Sequence, residues 1–389
     1  MIRLIMLTDF TETFSHRLLR GILGYARQSR EQWVVCRMPL SFQEQRGIDG
    51  VLQWGREWRA DAILGKFSTS GDVWRYAKEG LVVVAQDHYR LVEGIPNLTS
   101  DYRATGRLVA EYFLERGFKN FAFCGYADTV WSQERCEGFK QRLEEKEGCG
   151  FSRMDEELAD QPWQTNDMRL IHWLRTLPEH TAVMCCDDRQ ASSVLMACDE
   201  AGIKVPQDMA VMGVDNDDLC DEFCCPTLSS VNLDIEHGGF EAARVIEGIL
   251  RGERGCIRDI LIPTLGVVTR GSTNTFAVND PYVEKAVDII HDNLTRSFSV
   301  GGLTKQLPLS RRLLEIRFKQ ATGKTLHEYI TDRRIDYFAS LLLQSNEPVK
   351  VIALRLAFNN YGNLSRVFRE RMGCSPTEYR IRHKRHFEG

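Results

Sequence analysis

Through roughly its first 270 residues the chain alternates short, continuously apolar runs with longer stretches whose apolar positions recur at helical spacing. The runs at 3–8, 33–37, 62–64, 81–85, 121–124, 182–186 and 210–214 are expected to be strands. The stretches at 14–29, 103–116, 134–147, 167–177, 190–201 and 236–250 are expected to be helices. Continuous apolar strands separated by helices predict an α/β architecture of doubly wound parallel sheets covered on both faces. The alternation restarts at Phe121 after a long helix, so two lobes are expected. Their cleft should lie at the C-terminal ends of the strands, where such folds bind ligands.

Beyond a polar, turn-rich stretch the pattern turns helical throughout, and the chain repeats itself. Phe318-Lys319-x3-Gly323-x-Thr325-x2-Glu328-Tyr329 returns as Phe368-Arg369-x3-Gly373-x-Ser375-x2-Glu378-Tyr379, an offset of 50 residues. Four identities and two conservative matches in twelve positions mark a duplicated unit. Each unit also has a short helix before a turn. Residues 303–307 turn at Pro308 into Ser310, a good N-cap for a helix over 311–320. Residues 351–356 turn through Phe358-Asn359-Asn360 into a helix over 361–371. Helix, short turn and second helix with exposed basic residues is the pattern of a helix-turn-helix.

A chain of 389 residues suggests two to four domains, and 43% hydrophobic with 27% charged content is ordinary for a globular protein. Asp9 interrupts the only apolar run near the start, and no stretch reaches about 18 apolar residues, so a cytoplasmic protein without a membrane partner is expected. Twelve cysteines include the adjacent pairs Cys185–Cys186 and Cys224–Cys225 but no Cys-x-x-Cys. Cys220, Cys224 and Cys225 have no His at ligand spacing, so reduced, packed thiols are expected, with no metal and no cofactor. Residues 280–389 carry 19 Lys+Arg against 12 Asp+Glu, a net of +7, which leaves −11 on the rest. An acidic body with a basic C-terminal module suits a chain that meets a polyanion at one end.

The strand ends hold the candidate binding chemistry. Strand one runs into Asp9 and then Phe14, the strand at 81 into Gln86-Asp87, and the strand at 121 leads to Trp131 and Arg135. The strands at 182 and 210 end in Asp187-Asp188-Arg189 and Asp215-Asn216. Carboxylates and Arg hydrogen-bond adjacent hydroxyls while Phe or Trp stacks on an apolar sugar face, so the set suits a small polyhydroxylated ligand. Any one of these residues read alone is as well explained as a loop-capping Asp or a surface Trp; the group carries the argument. An enzyme is disfavoured. Gly323-Lys324-Thr325 would end a phosphate-binding loop only if position 318 were Gly, and it is Phe. No nucleophile elbow or dinucleotide fingerprint occurs. Asp187 and Asp215 could form an acid/base pair, but strand-end carboxylates serve hydroxyl recognition equally well, and a DNA-binding tail has no role in hydrolysis.

Asp101-x4-Gly106, Leu114-x2-Gly117, Arg135-x2-Gly138-Phe139, Asp187-Asp188, Val205-Pro206-Gln207-Asp208, Gly213-Val214-Asp215-Asn216 and Pro263 through Thr273, in this order, resemble the effector-binding core of LacI-type regulators and periplasmic sugar-binding proteins. The chain begins directly at the first core strand, so a DNA-binding part is expected elsewhere. The duplicated units, ending in Ser375-Pro376-x2-Glu378-Tyr379-Arg380, resemble the AraC/XylS-type DNA-binding domain. The two resemblances divide the chain into a two-lobed periplasmic-binding-protein-like sensor over 1–273, a linker over 274–281 and an all-α domain with two helix-turn-helix motifs over 282–389.

The second resemblance implies two recognition helices in successive major grooves about 34 Å apart. In the first, Arg311, Arg312, Glu315 and Ile316 would face the groove; in the second, Tyr361, Gly362, Asn363 and Arg366. Arg312 and Arg366 suit guanine edges and Asn363 suits adenine, whereas Lys319, Arg369 and Arg371 suit phosphates. Ile316 stands where the family presents a polar or basic reader, and Ala357-Phe358 replaces its Gly-Phe. The order of parts resembles that of the xylose operon regulators. It implies an activator whose sensor binds D-xylose, and the strand-end chemistry puts the candidate ligand-binding residues at Asp9, Phe14, Asp87, Trp131, Arg135, Asp187 and Asp215. It also implies a homodimer on a direct-repeat operator in double-stranded DNA, in contact with RNA polymerase. The residues alone leave open a pentose, a hexose, an oligosaccharide fragment or a non-sugar metabolite such as a purine.

Overall fold

The computed structural model describes the chain apart from residues 68, 87–90, 157–167, 218–223, 254, 275–279, 294–299, 323, 345–346, 357–360 and 385–389. Two six-stranded sheets form the body. The first has strands β1 (Ile2–Leu7), β2 (Trp33–Met38), β3 (Ala62–Lys66), β4 (Val82–Gln86), β5 (Asn97–Ser100) and β11 (Ile260–Ile262), in the order β11-β5-β4-β3-β1-β2. The second has β6 (Asn120–Tyr126), β7 (Gly150–Glu156), β8 (Thr181–Cys185), β9 (Met209–Val214), β10 (Ser229–Leu233) and β12 (Thr264–Val268), in the order β12-β10-β9-β8-β6-β7. Every pairing is parallel except β10 with β12, so one antiparallel edge modifies the expected all-parallel pattern. The central strands β1, β8 and β9 are buried on both faces, which is why they read as uninterrupted apolar runs.

Helices α1 (Thr13–Gln28), α2 (Leu40–Trp58), α3 (Ser70–Lys78) and α4 (Tyr102–Glu115) follow β1, β2, β3 and β5. In the second lobe α5 (Val130–Glu144), α6 (Met168–Thr176) and α7 (Asp188–Ala201) follow β6, β7 and β8, and α8 (Ile235–Leu250) follows β10. The chain passes between the lobes three times: after β5, after β10, and at Pro263 between β11 and β12. Helices that leave one sheet pack on the other, α4 against α5 and α8 against α1. Both crossings are made at glycines. A Cβ on Gly106 would lie 2.1 Å from the Arg135 carbonyl oxygen, and one on Gly239 would lie 2.1 Å from that of Leu18. Only glycine permits backbones this close.

The C-terminal part is helical: α9 (Pro281–Asp292), α10 (Val300–Thr304), α11 (Arg311–Thr322), α12 (Leu326–Gln344), α13 (Val349–Arg355), α14 (Tyr361–Met372) and α15 (Pro376–Lys384). It has two separate cores. Val287, Leu303, Leu314, Phe318 and Tyr329 belong to the first, and Phe338, Ile352, Leu364 and Phe368 to the second. The long helix α12 feeds both, through Leu326 and Ile330 at one end and Ile335 and Leu342 at the other. The sequence repeat is a structural repeat. Phe318 meets Tyr329 edge to face at 5.3 Å, and Phe368 meets Tyr379 in the same way at 5.3 Å. Each unit also starts its next helix with a reciprocal cap. The Thr325 amide donates to Glu328 Oε2 at 2.8 Å, and the Ser375 amide to Glu378 Oε2 at 2.8 Å.

Candidate functional site

A cavity of about 750 Å³ lies between the lobes, lined from the C-terminal ends of their strands. The first lobe contributes Glu12, Thr13 and Phe14 from the β1–α1 turn, Lys66 from the end of β3 and Gln86 from the end of β4. The second contributes Trp131 and Arg135 from α5, Asp187, Asp188 and Arg189 after β8, and Asp215 after β9. The crossover segments supply an apolar floor of Leu98, Leu233 and Ile262.

Arg135 is the central buried cation, only 3% exposed. Its Nη1 donates to the Cys186 carbonyl oxygen at 2.5 Å, and its guanidinium carbon lies 5.3 Å from the ring centroids of both Tyr102 and Trp131. These contacts fix the planar group while leaving one edge unused. Arg135 Nη2 stands 3.6 Å from Asp215 Oδ1, close enough for charge attraction and too far for a hydrogen bond. Among the described residues, neither Arg135 Nε nor Asp215 Oδ1, both buried, has a hydrogen-bond partner. Buried polar atoms are normally satisfied, which makes these two atoms candidates for binding ligand hydroxyls.

Asp215 is held in an uncommon backbone conformation, φ 104°. Its amide donates to the Val231 carbonyl oxygen at 2.9 Å, and its own carbonyl oxygen accepts from Arg17 Nη1 at 2.8 Å. Such strain persists where surrounding bonds over-determine it, often at binding sites. Burial pushes the Asp215 carboxyl up to about 6, against the lowering influence of Arg135 and with Asp187 and Glu12 adding to the rise. Burial likewise raises Asp187, whose carboxylate also caps α7 by accepting from the Gln190 amide at 2.7 Å. Asp188 serves the scaffold. Its oxygens accept from the Ser230 hydroxyl at 2.6 Å and the Asp217 amide at 2.7 Å, and burial raises it well above the carboxylate range.

Several bonds bridge the lobes across the cleft. The Thr13 hydroxyl donates to Asp217 Oδ1 at 2.7 Å, and Arg17 Nη2 donates to the Leu233 carbonyl oxygen at 2.8 Å. Within the first lobe Lys66 Nζ pairs with Glu12 at 2.8 Å, and Arg189 approaches the same carboxylate from the second lobe at 4.0 Å.

Of the residues expected from sequence, Phe14, Trp131, Arg135, Asp187 and Asp215 line the cavity together. Asp9 is not among its lining residues. Its Oδ1 accepts from the Thr11 amide at 2.8 Å and the Thr11 hydroxyl at 2.7 Å, which makes it a loop-capping carboxylate. Asp87 lies outside the described residues. Glu12, Lys66, Tyr102 and Arg17 carry no sequence signal of their own. Gln86 and Arg189 sat beside expected positions at strand ends.

In the helical part, Leu314 and Phe318 are buried on α11, while Arg311, Arg312, Ile316 and Lys319 are exposed on its other side. Glu315 is half-buried and accepts from Arg311 Nε at 2.9 Å. On α14, Leu364 and Phe368 are buried and Gly362, Asn363, Arg366 and Arg369 exposed. Arg366 donates to Glu370 at 2.7 Å and to Asn363 Oδ1 at 3.1 Å. Tyr361 opens α14, with its side chain outside the described set. Arg371 pairs with Asp332 at 2.6 Å, an internal contact competing with the phosphate role expected for it. Asp332 also accepts from Lys324 at 2.7 Å, so one carboxylate on α12 ties the turn after α11 to α14.

Residues 110–273 match the model of the periplasmic binding protein-like domain, and residues 303–382 match that of a helix-turn-helix domain. The xylose operon regulatory protein of Escherichia coli is 27% identical over 387 residues, covering 97% of this chain and 96% of that one. The solved structure of the xylose-binding transcription activator xylR is similar with a TM-score of 0.62 at 25% identity, over 98% of each chain. The multiple antibiotic resistance protein MarA of Salmonella typhimurium is 32% identical over 108 residues, 28% of this chain and 83% of its own length. The chain is a transcription regulator, similar over nearly its whole length to the xylose operon regulators. A periplasmic-binding-protein-type domain precedes a helix-turn-helix domain along it. The two full-length relatives are an operon regulator and a transcription activator. No helix among the chain's described residues is long and apolar enough to cross a membrane.

Proposed function

We propose that this regulator is a cytoplasmic transcription activator whose inter-lobe cleft binds D-xylose. The observation that carries the reading is the pair of unsatisfied buried atoms, Arg135 Nε and Asp215 Oδ1, beside the rings of Trp131 and Phe14. A charged donor and a charged acceptor separated by a short gap suit adjacent hydroxyls, and the rings suit the apolar face of a sugar. The name of its Escherichia coli relative supports a xylose operon as the context.

In this reading residues 1–273 sense the sugar, 274–281 connect, and 282–389 bind DNA. Arg312, Asn363 and Arg366 read bases, with Arg311, Glu315, Ile316 and Tyr361 at the same groove faces and Lys319 and Arg369 on phosphates. A homodimer presents four recognition helices to a direct-repeat operator and contacts RNA polymerase. Sugar binding acts only by favouring the DNA-competent arrangement over the other. The bridges Thr13–Asp217 and Arg17–Leu233 join the two lobes across the cleft, so a change in lobe closure would act on them.

Thermal unfolding against a panel of pentoses, hexoses and purines tests this reading. D-xylose should raise the midpoint in a concentration-dependent way, and the shift should vanish in Asp215→Ala. A shift with purines and none with any sugar would overturn the sugar assignment.

A further inference from the structure

The cleft is larger than one sugar ring needs, and its extra length has a definite construction. Helix α7 presents Asp188, Ser192, Leu195, Met196 and Asp199 to the cavity. Their spacing places them on one face of a helix, and eleven residues at helical rise carry that face along about 16 Å. The cavity is therefore a trough that starts at the buried charges around Asp215 and runs outward along α7. Its volume of about 750 Å³ lies in the upper part of the range of about 300–1,000 Å³ typical of sites for drug-sized ligands.

The two ends differ in chemistry. The inner end holds Arg135, Asp187 and Asp215. The outer end is formed by the apolar Leu195 and Met196, flanked by the Ser192 hydroxyl and the Asp199 carboxylate. Ser192 donates to the Asp188 carbonyl oxygen at 2.9 Å, and its oxygen lies 3.4 Å from the Sγ of Cys224, another lining residue. Met196 is 66% exposed, a long flexible thioether at the lip of the trough. An exposed methionine alone means little. Here it shares a helical face with four other lining residues of a single cavity. An apolar surface edged by a hydroxyl and a carboxylate is the complement of a sugar ring.

We propose that the α7 face is a second subsite, taking the next ring of a short oligosaccharide whose first ring sits at Arg135 and Asp215. The inference rests on the sugar reading above and refines it: the effector class becomes a disaccharide or longer chain of pentose units. The inner subsite supplies charge-assisted hydrogen bonds, and the outer one supplies apolar contact with a few weaker polar contacts.

Titration calorimetry on the full chain separates the two claims, with D-xylose and the β-linked disaccharide of xylose as probes. The disaccharide should bind at least about tenfold tighter than the monosaccharide. In Met196→Asp, which sets a second carboxylate beside Asp199 in place of the apolar surface, the ratio of the two affinities should fall toward one. Asp215→Ala should abolish binding of both. Binding of D-xylose that Asp215→Ala removes, together with a disaccharide that binds no tighter, would overturn the second subsite and leave the inner one standing. A ratio unaffected by Met196→Asp would also overturn it. Failure of both sugars to bind would overturn the sugar reading together with the subsite.

Discussion

Arg135 and Asp215 face each other at 3.6 Å across the second lobe, each with a buried polar atom that no described group satisfies. Both are anchored on their other sides, Arg135 by Cys186 and two aromatic rings, Asp215 by Val231 and Arg17. The arrangement is preorganised, so a ligand entering the gap need not order it.

Titration of Asp215 gives opposite signs for binding and folding. Its folded-state carboxyl sits near 6 because of burial, well above the range of an exposed aspartate. Below that value it is protonated and loses acceptor capacity, so sugar affinity should fall as pH drops from 7 to 5. In the unliganded protein the same group favours the protonated folded state, so its share of folding stability should rise over that interval. Burial shifts Asp187 and Asp188 in the same direction as Asp215. Calorimetric titrations and ligand-free melts across this pH range check both slopes.

The paired ring contacts predict how the helical module fails. Phe368 is fully buried in the second core, against Tyr379 and Phe338. Phe368→Ala should cost the module about 3–5 kcal/mol. Operator binding should be lost while sugar binding by the body persists. Gel shifts and titration calorimetry on one preparation read the two outcomes.

Asp332 couples the two units. It accepts from Lys324 after α11 and pairs with Arg371 on α14. Burial opposes its ionisation, but Lys324 and Arg371 outweigh that and hold its carboxyl below the usual range. Asp332→Asn should weaken these contacts, remove about 1 kcal/mol of stability and loosen the relation between the recognition helices. The variant should bind half-sites of altered spacing with less discrimination than the native protein, as competition gel shifts would show.

In the proposed function the exposed faces of α11 and α14 make two kinds of contact with DNA. Arg366→Ala should cost about 1–3 kcal/mol of operator affinity and relax base preference at one position. Lys319→Ala should weaken binding to all sequences and lower the salt slope by about 1. In the free protein Arg366 is held by Glu370 and Asn363, so those contacts must be exchanged when DNA binds.

The strands legible in the sequence are those buried on both faces, such as β1, β6, β8 and β9. Those the sequence hides are short or polar. β5 and β10 bury Asn97, Thr99, Ser100, Ser229 and Ser230, satisfied by bonds to distant parts of the chain. Asn97 Nδ2 donates to Asp259 at 2.8 Å, and the Ser100 hydroxyl to the Ile262 carbonyl oxygen at 2.9 Å. No apolar run announces such strands, because tertiary bonds replace apolar burial. Helix α2 is obscured by Gly47, whose φ of 65° breaks the helical period in mid-element. In the cleft, Asp187 and Asp215 were legible because they end apolar strands, whereas Arg17 and Lys66 reach it only through the fold. Asp9 also ends an apolar strand, and the Thr two residues after it marks the local turn that occupies its carboxylate. The helix-turn-helix repeat was the clearest signal, since Phe318–Tyr329 and Phe368–Tyr379 are both local in sequence and packed in space.

The central claim is that the gap between Arg135 and Asp215 is the sugar site. Titration calorimetry of D-xylose into the native protein and into Asp215→Ala tests it most directly. The account predicts saturable binding to the native chain and a loss of at least about tenfold in the variant, since a charged hydrogen bond contributes about 1.5–3 kcal/mol. Equal affinity of the two proteins for D-xylose would contradict it.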